Sequence, residues 1–365
     1  PGFSLLVGQI DLRGHAGLID SFPTDLSQTP YNPQKISSAE ARAALRFDSK
    51  VSYRPLRFVL DLEYDFFRGP LTSYTGLEGE YIPQGQDAEH NLRKASLRIS
   101  FAKLLHLVGG ATTSNWGLGL MANDGNARWK PGTAAFLDPR GGDRVIRVMA
   151  ASGKWSPANL QLLVAYDNVL EDDEMIPSDD TKHFASALRF KLRENTSGGF
   201  LWRNRRQRPE LSGELVSHTL DLVLQHRHRF NSVTELSFSL EALYQIGSTS
   251  IPRFEAPSDR TIRAYGGALE TQLNLGNHGF ALDTIYASGD AEPGDNEDQA
   301  LRLDPNYQVG LILFPYILAA QSGRLSTAVN AQNKSEGIPF RDSTRGGGAE
   351  AAILFPQAWW RFRTG

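Results

Sequence analysis

The feature that most constrains the fold is a strict two-residue alternation whose polar side is charged. In Leu56–Phe67, the residues Leu56, Phe58, Leu60, Leu62, Tyr64 and Phe66 alternate with Arg57, Val59, Asp61, Glu63 and Asp65. The same pattern runs through Glu40–Tyr53, Lys94–Phe101, His183–Arg193 and Thr234–Ile246. Alternation over eight or more residues reads as β-strand, with one apolar and one polar face. No helical stripe of comparable strength accompanies it. Further strands are expected over Phe3–Arg13, Leu105–Ser114, Arg144–Trp155, Asn159–Leu170, Phe200–Arg205, Glu214–Phe230, Arg260–Gly276, Phe280–Ser288 and Tyr307–Phe314. Tyr316–Thr327, Gly348–Phe355 and Ala358–Thr364 follow near the end.

The connections between these strands alternate in length. Short ones fall at Arg54-Pro55, Ala102–Leu104, Ser156–Ala158, Asn195–Gly198, Asn231-Ser232 and Gly276–Gly279. Long, polar, Gly/Pro/Asp-rich ones fall between them, including Arg68–Glu89, Asn115–Asp143, Gly289–Asn306 and Ser322–Gly347. Hairpins with short turns at one end and long loops at the other are the layout of an outer-membrane β-barrel. Charge on one face of nearly every strand cannot fill a dry core, because unpaired buried charge is too costly. It suits a water-filled lumen, with the apolar face toward lipid. In lipid every backbone polar group must be paired, so the sheet has to close.

The expectation is therefore an all-β, transmembrane, antiparallel up-and-down β-barrel of about 16 to 18 strands. It has short periplasmic turns and long extracellular loops and forms a single domain over residues 1–365. Leu313-Phe314-Pro315 recurs as Leu354-Phe355-Pro356. If both are turns, a closing strand lies beyond Gly365. Composition agrees. A transmembrane helix needs about 20 apolar residues in a row, and the longest near-apolar run, Val309–Ala320, is broken by Gly310 and Pro315. The 40% hydrophobic fraction fits a barrel in which only every second strand residue must be apolar. With 38 basic and 41 acidic residues the chain carries a net charge of −3, which gives no case for a nucleic-acid partner. Having no cysteine, it holds no disulfides, thiolate metal sites or cysteine nucleophile.

Ala281-Leu282-Asp283-Thr284-Ile285-Tyr286-Ala287-Ser288-Gly289-Asp290 leads into the acidic stretch Ala291–Ala300 and then toward Tyr307–Phe314. This resembles the alginate-export porin family, in which a strand ending Tyr-Ala-Ser-Gly-Asp enters a long acidic loop. Asn115-Trp116-Gly117, with a loop running to Asp138-Pro139-Arg140, is similar to an earlier part of that family. The resemblance covers about a quarter of the chain. It implies an outer-membrane barrel of a Gram-negative envelope that passes an anionic polysaccharide through an arginine-lined pore. No pore arginine is carried over from it.

Alternation supplies the pore candidates directly: Arg42, Arg46, Arg57, Arg98, Arg147, Arg189, Lys191, Arg193, Arg203 and Arg205. Read one way, they attract an anionic solute; read the other, they pair with carboxylates across strands and stiffen the wall. The densest group runs from Arg189 to Arg208, including Arg206 and Arg208. Asp290, Asp295, Glu297 and Asp298 form an oxygen-rich loop that can hold Ca²⁺, though without EF-hand spacing. A solvated acidic loop is the simpler reading, and no other cofactor is expected.

Ser186 with His183, and Ser217 with His218, are the Ser–His neighbours a barrel hydrolase would need; nothing supplies a third group, so no enzyme is expected. The resulting expectation is a channel for a hydrophilic, anionic solute such as an exopolysaccharide. Its surroundings would be outer-membrane lipid and lipopolysaccharide. The alternative is a structural or adhesive barrel with a plugged lumen, bound to other envelope proteins. Arg128-Trp129-Lys130-Pro131 and Pro339-Phe340-Arg341 would then be plug anchors or partner contacts.

Overall fold

A computed structural model describes residues 2–19, 34–50, 56–68, 89–102, 104–125, 143–172, 179–209, 213–251, 257, 259–292, 294–304, 306–307 and 350–360. Every regular element among them is a strand, and together they make one 15-stranded sheet. The strands are β1 (Gly2–Ile19), β2 (Gln34–Lys50), β3 (Leu56–Arg68), β4 (Glu89–Phe101), β5 (Leu105–Thr113), β6 (Arg144–Ser152) and β7 (Gln161–Glu171). They continue with β8 (Asp180–Leu192), β9 (Thr196–Arg208), β10 (Leu215–Arg229), β11 (Thr234–Thr249), β12 (Arg260–Leu275), β13 (His278–Ala287), β14 (Glu297–Asp298) and β15 (Ala351–Trp360).

Spatial order follows chain order from β1 to β13, always antiparallel, and β15 then pairs with β13. The two-residue β14 runs parallel to the start of β12. Among the described residues β1 and β15 are the ends of the path and are not paired with each other.

The sorting of connections by length holds for most hairpins. At one end the strands are separated by 102–104, 153–160, 193–195, 230–233 and 276–277. The strand ends on the other side are separated by longer stretches of sequence, except that 172–179 and 209–214 are no longer than 153–160. Loop length thus alternates because successive hairpins turn at opposite ends of the sheet.

Sidedness follows from the period-2 rule. One face exposes Leu60, Tyr64, Ile146, Leu162, Val164, Tyr166, Phe184, Phe200, Leu220, Leu222, Tyr244 and Tyr265, with Val148 68% exposed. The other face carries Glu63, Asp167, Thr181, His183, Arg203, Arg205, Gln207, Ser217, Thr219, Asp221 and Glu241, all buried. Polar residues inside and large apolar ones outside reverse the order of a soluble barrel. A contiguous apolar surface of this kind marks contact with lipid or a partner.

Several expectations change. Leu354-Phe355-Pro356 is not a turn: β15 runs straight through it, with Pro356 opposite Leu282. Proline's missing N–H is tolerated on a strand that needs a ladder on one side only. Among the described residues β15 has only β13 beside it. The described parts of Gly348–Phe355 and Ala358–Thr364 are accordingly one strand, Ala351–Trp360. Tyr307 does not begin a strand on the sheet; it is buried in a segment folded against the inner face. Phe200–Arg205 is longer at both ends, as β9, because Gly198 and Gly199 hide its alternation. The rest of Tyr307–Phe314, and Tyr316–Thr327, lie outside the described residues, as do Arg128–Pro131 and Pro339–Arg341.

Candidate functional site: the inner face and the segments folded onto it

Two connections from the long-loop end turn inward. Residues 114–125, after β5, and 288–307, after β13, settle on the inner face of β9 to β13. There Leu120, Met121, Leu301, Leu303 and Tyr307 bury themselves against Leu243, Ala264, Ala268, Ile285 and Ala287. Small and apolar inward residues on β11 to β13 leave room for this. The interior is therefore not uniformly polar: β11 to β13 carry a small dry core beside their carboxylates, and Arg147, Arg203 and Arg205 gather on β6 to β9.

The first segment closes on itself. The amide of Trp116 donates to the Ala122 carbonyl at 3.0 Å, that of Gly119 to the Trp116 carbonyl at 2.9 Å, and that of Asp143 to the Asn123 carbonyl at 2.7 Å. Gly117 sits at φ +61°, and a Cβ there would run into the Glu241 carboxylate and Val223. Glycine is required both for the left-handed backbone and for the close approach. Glu241, 0% exposed, accepts from the amide of Leu118 and, at 3.3 Å, from that of Leu120. One wall carboxylate thereby holds two loop amides that would otherwise be buried unpaired. The two segments are joined by the amide of Asp304, which donates to the Leu120 carbonyl at 2.8 Å.

Tyr307 closes the second segment by donating its hydroxyl to Glu270 at 3.2 Å. Burial, reinforced by the negative charges of Glu270 and Asp283, raises the phenol above its ordinary range, so it remains a proton donor. Ser288 anchors the entry: its hydroxyl donates to the Gln299 carbonyl at 2.7 Å and accepts from the Tyr265 amide at 3.0 Å.

The adjoining strands, β6 to β9, carry Arg147, Arg203 and Arg205. Arg147 forks onto Asp167 with two 2.7 Å hydrogen bonds and also reaches Ser114 at 3.0 Å. Arg205, 1% exposed in its side chain, grips Asp172, Gln207 and the His183 ring. Asp172 follows β7, so this pair reaches over β8 to β9. Arg203 is buried and donates to the Met121 carbonyl at 3.4 Å, fastening the first segment from this side. Trp116 spans the two sectors. It lies against Gly199, where a Cβ would meet its ring at 2.9 Å, and the Arg189 guanidinium stands 5.9 Å from its centre.

The predicted residues thus divide. Arg147, Arg203 and Arg205 are engaged in holding the wall and the inserted segment. Arg57, Arg98, Arg189 and Lys191 lie on the inner face by strand parity, and Arg98, Arg189 and Lys191 make no ion pair among the described residues. Arg193 is corrected: it sits at φ +59° in the β8–β9 turn, exposed, where alternation ends. Arg206 and Arg208 belong to the outer face, because they share parity with Trp202 rather than with Arg203 and Arg205. Arg42 and Arg46 lie on β2, in register with Asp65 and Asp61, but their side chains fall outside the described residues.

Asp290, Asp295, Glu297 and Asp298 do not converge. Asp290 accepts from the Glu292 amide at 3.2 Å, Asp295 from the Glu297 amide at 2.7 Å, and Glu297 and Asp298 pair with β12. Among the described residues no three His, Asp or Glu side chains come together as a metal site. The Ser–His neighbours are also separated. Ser217 and His183 are inward, while His218 and Ser186 are outward, so neither pair forms a dyad.

Tyr307 and buried Arg93 are the functional-looking residues that alternation alone missed; it gives Glu241 as inward but not its hold on the inserted loop. Arg93 sits where the β3–β4 register shifts, and it forms an ion pair with Glu63 at 2.7 Å beside Lys94 at 2.8 Å. The glycines at 117 and 119 were the available signal for the inserted loop.

No protein-family model matches the sequence, and no curated protein matches it. Among solved structures the chain is similar to OccAB4 of Acinetobacter baumannii, at 12% identity and TM-score 0.50, covering 79% of this chain and 69% of that one. OccAB1 of the same organism matches at 12% identity and TM-score 0.50, covering 80% and 68%. Both likenesses are of fold, the outer-membrane β-barrel porin architecture.

Proposed function

We propose that this chain is an outer-membrane channel for hydrophilic solutes, with a preference for anions. The observation that carries the reading is the reversed sidedness of the sheet. A face of exposed Leu, Val, Phe and Tyr suits lipid, and a face of buried and hydrated charge suits an aqueous lumen. Closure of the sheet into a barrel of about 16 to 18 strands belongs to the same reading, since an open sheet edge is not tolerated in hydrocarbon.

Anion preference rests on which charges are left over. Of the inward carboxylates, Glu63, Asp167 and Glu235 each pair with an arginine, Glu241, Glu270 and Asp283 accept from backbone amides, a tyrosine and a glutamine, and Asp221 is buried on the same face. Arg98, Arg189 and Lys191 make no ion pair among the described residues of the same face. Inserted residues 114–125 and 288–307 would narrow the passage, and Arg189 stands over Trp116 of the first of them. An anionic polysaccharide is the extended solute that such a row would suit.

The test is single-channel recording in planar bilayers. Discrete conductance steps with an anion-selective reversal potential are expected. A barrel shown to be inserted but electrically silent, even with residues 114–125 shortened, would overturn the channel reading. That outcome would favour a plugged structural barrel, the reading to which the dry sector around Leu120 and Leu301 lends weight.

A further inference from the structure

We propose that the outer face of β8 and β9, at their long-loop end, is a docking surface for the phosphates of a glycolipid in the outer leaflet. The proposal rests on the membrane-barrel reading above, which places that end outward. Lys182, Arg206 and Arg208 stand there, all exposed. Lys182 and Arg206 are direct register partners on neighbouring strands. Like charges opposed across a ladder destabilise it unless something negative lies between them.

The local carboxylates supply only part of that. Asp180 pairs with Lys182 at 2.7 Å, and Glu214 accepts from Arg208 at 3.2 Å. Arg206, between them, makes no ion pair among the described residues, and its register partner on β10 is Val216. Among the described residues the patch keeps one net positive charge, centred on the Arg206 guanidinium, a group whose forked donors match phosphate oxygens.

What lies beside it decides the class of anion. One row toward the sheet middle are Asn204 and His218, and then Trp202, which stacks on His218 at 5.8 Å and meets Phe184 edge-on. Polar side chains beside a flat aromatic suit a sugar. Below them the outer face is apolar through Phe200, Leu220 and Leu222. From the sheet middle to its rim the order is apolar, aromatic and amide, then cation, which matches acyl chain, sugar and phosphate in a leaflet.

The test uses the full chain, folded in detergent, and native mass spectrometry with diphosphoryl lipid A, its dephosphorylated form and phosphatidylglycerol. The wild type is expected to retain the diphosphoryl lipid over the dephosphorylated one by about tenfold, the scale of one charge-assisted contact. Phosphatidylglycerol should compete weakly. Arg206→Glu should abolish the preference, and Arg206→Gln should reduce it, with heat-modifiable gel migration confirming that each variant is folded. Equal retention by wild type and folded variants, or no dependence on phosphate, would overturn the proposal. Full competition by phosphatidylglycerol would overturn the glycolipid assignment. Failure of wild type to insert into vesicles would instead sink the barrel reading on which this rests.

Discussion

At the scale of residues, the inner face separates charges that do structural work from charges that are free. Glu241 is the clearest structural case. Glu241→Ala removes the acceptor of two buried amides, each worth about 1–3 kcal/mol when left unsatisfied. A lower urea midpoint and a larger, noisier conductance are expected. Glu241→Gln keeps one acceptor oxygen and should fall between. Arg189 and Lys191 are the free charges. Arg189→Glu with Lys191→Glu should move the reversal potential toward cation selectivity and leave the unfolding midpoint nearly unchanged, because exposed charges contribute about 0–1 kcal/mol. Alternation could name all of these positions as inward, but it could not say which cation has a carboxylate in reach. That depends on side chains from non-adjacent segments, as when Asp172 meets Arg205.

At the scale of elements, the strands were legible and the inserted segments were not. The period of two survives because each strand has one apolar and one polar environment along its whole length. It fails where an element meets neither. Residues 114–125 are held by a glycine at positive φ and a carboxylate from β11, a strand far along the chain. Gly117→Ala should therefore displace this segment without disturbing the sheet. The expected outcome is a conductance change like that of Glu241→Ala, with strand content by circular dichroism unaltered. Asp172→Asn tests a second cross-element link. It leaves a buried guanidinium without its carboxylate, and losses of about 3–5 kcal/mol accompany such removals. A marked drop in the urea midpoint should follow, and Asp172→Asn combined with Arg205→Met should recover much of it.

At the scale of the whole molecule, two parts of the inner face adjoin: a dry one built by the inserted segments and one built by β6 to β9 that carries arginines. On the channel reading proposed above, the inward cations would set the sign of selectivity. Selectivity drawn from solvated cations should fade with salt, since the screening length drops from about 10 Å at 0.1 M to about 3 Å at 1 M. Reversal potentials measured across that range are expected to fall toward zero. Salt-independent selectivity would point to steric rather than electrostatic control.

By itself the sequence determined the strands, their sidedness, the sorting of short and long connections, and which residues share the inner face. Those properties are local, because a two-residue period and a turn's composition are written in adjacent positions. The tertiary structure decided which long connections turn inward and which inward cations have a carboxylate in reach. Inserted segments join residues more than 100 positions apart, as Leu118 and Glu241 are, and ion pairs skip a strand, as Asp172 and Arg205 do, and no local pattern encodes such meetings. A one-residue step reverses a side chain's face, so the basic run from Arg189 to Arg208 is divided by the pleat between the inner and the outer face of the sheet.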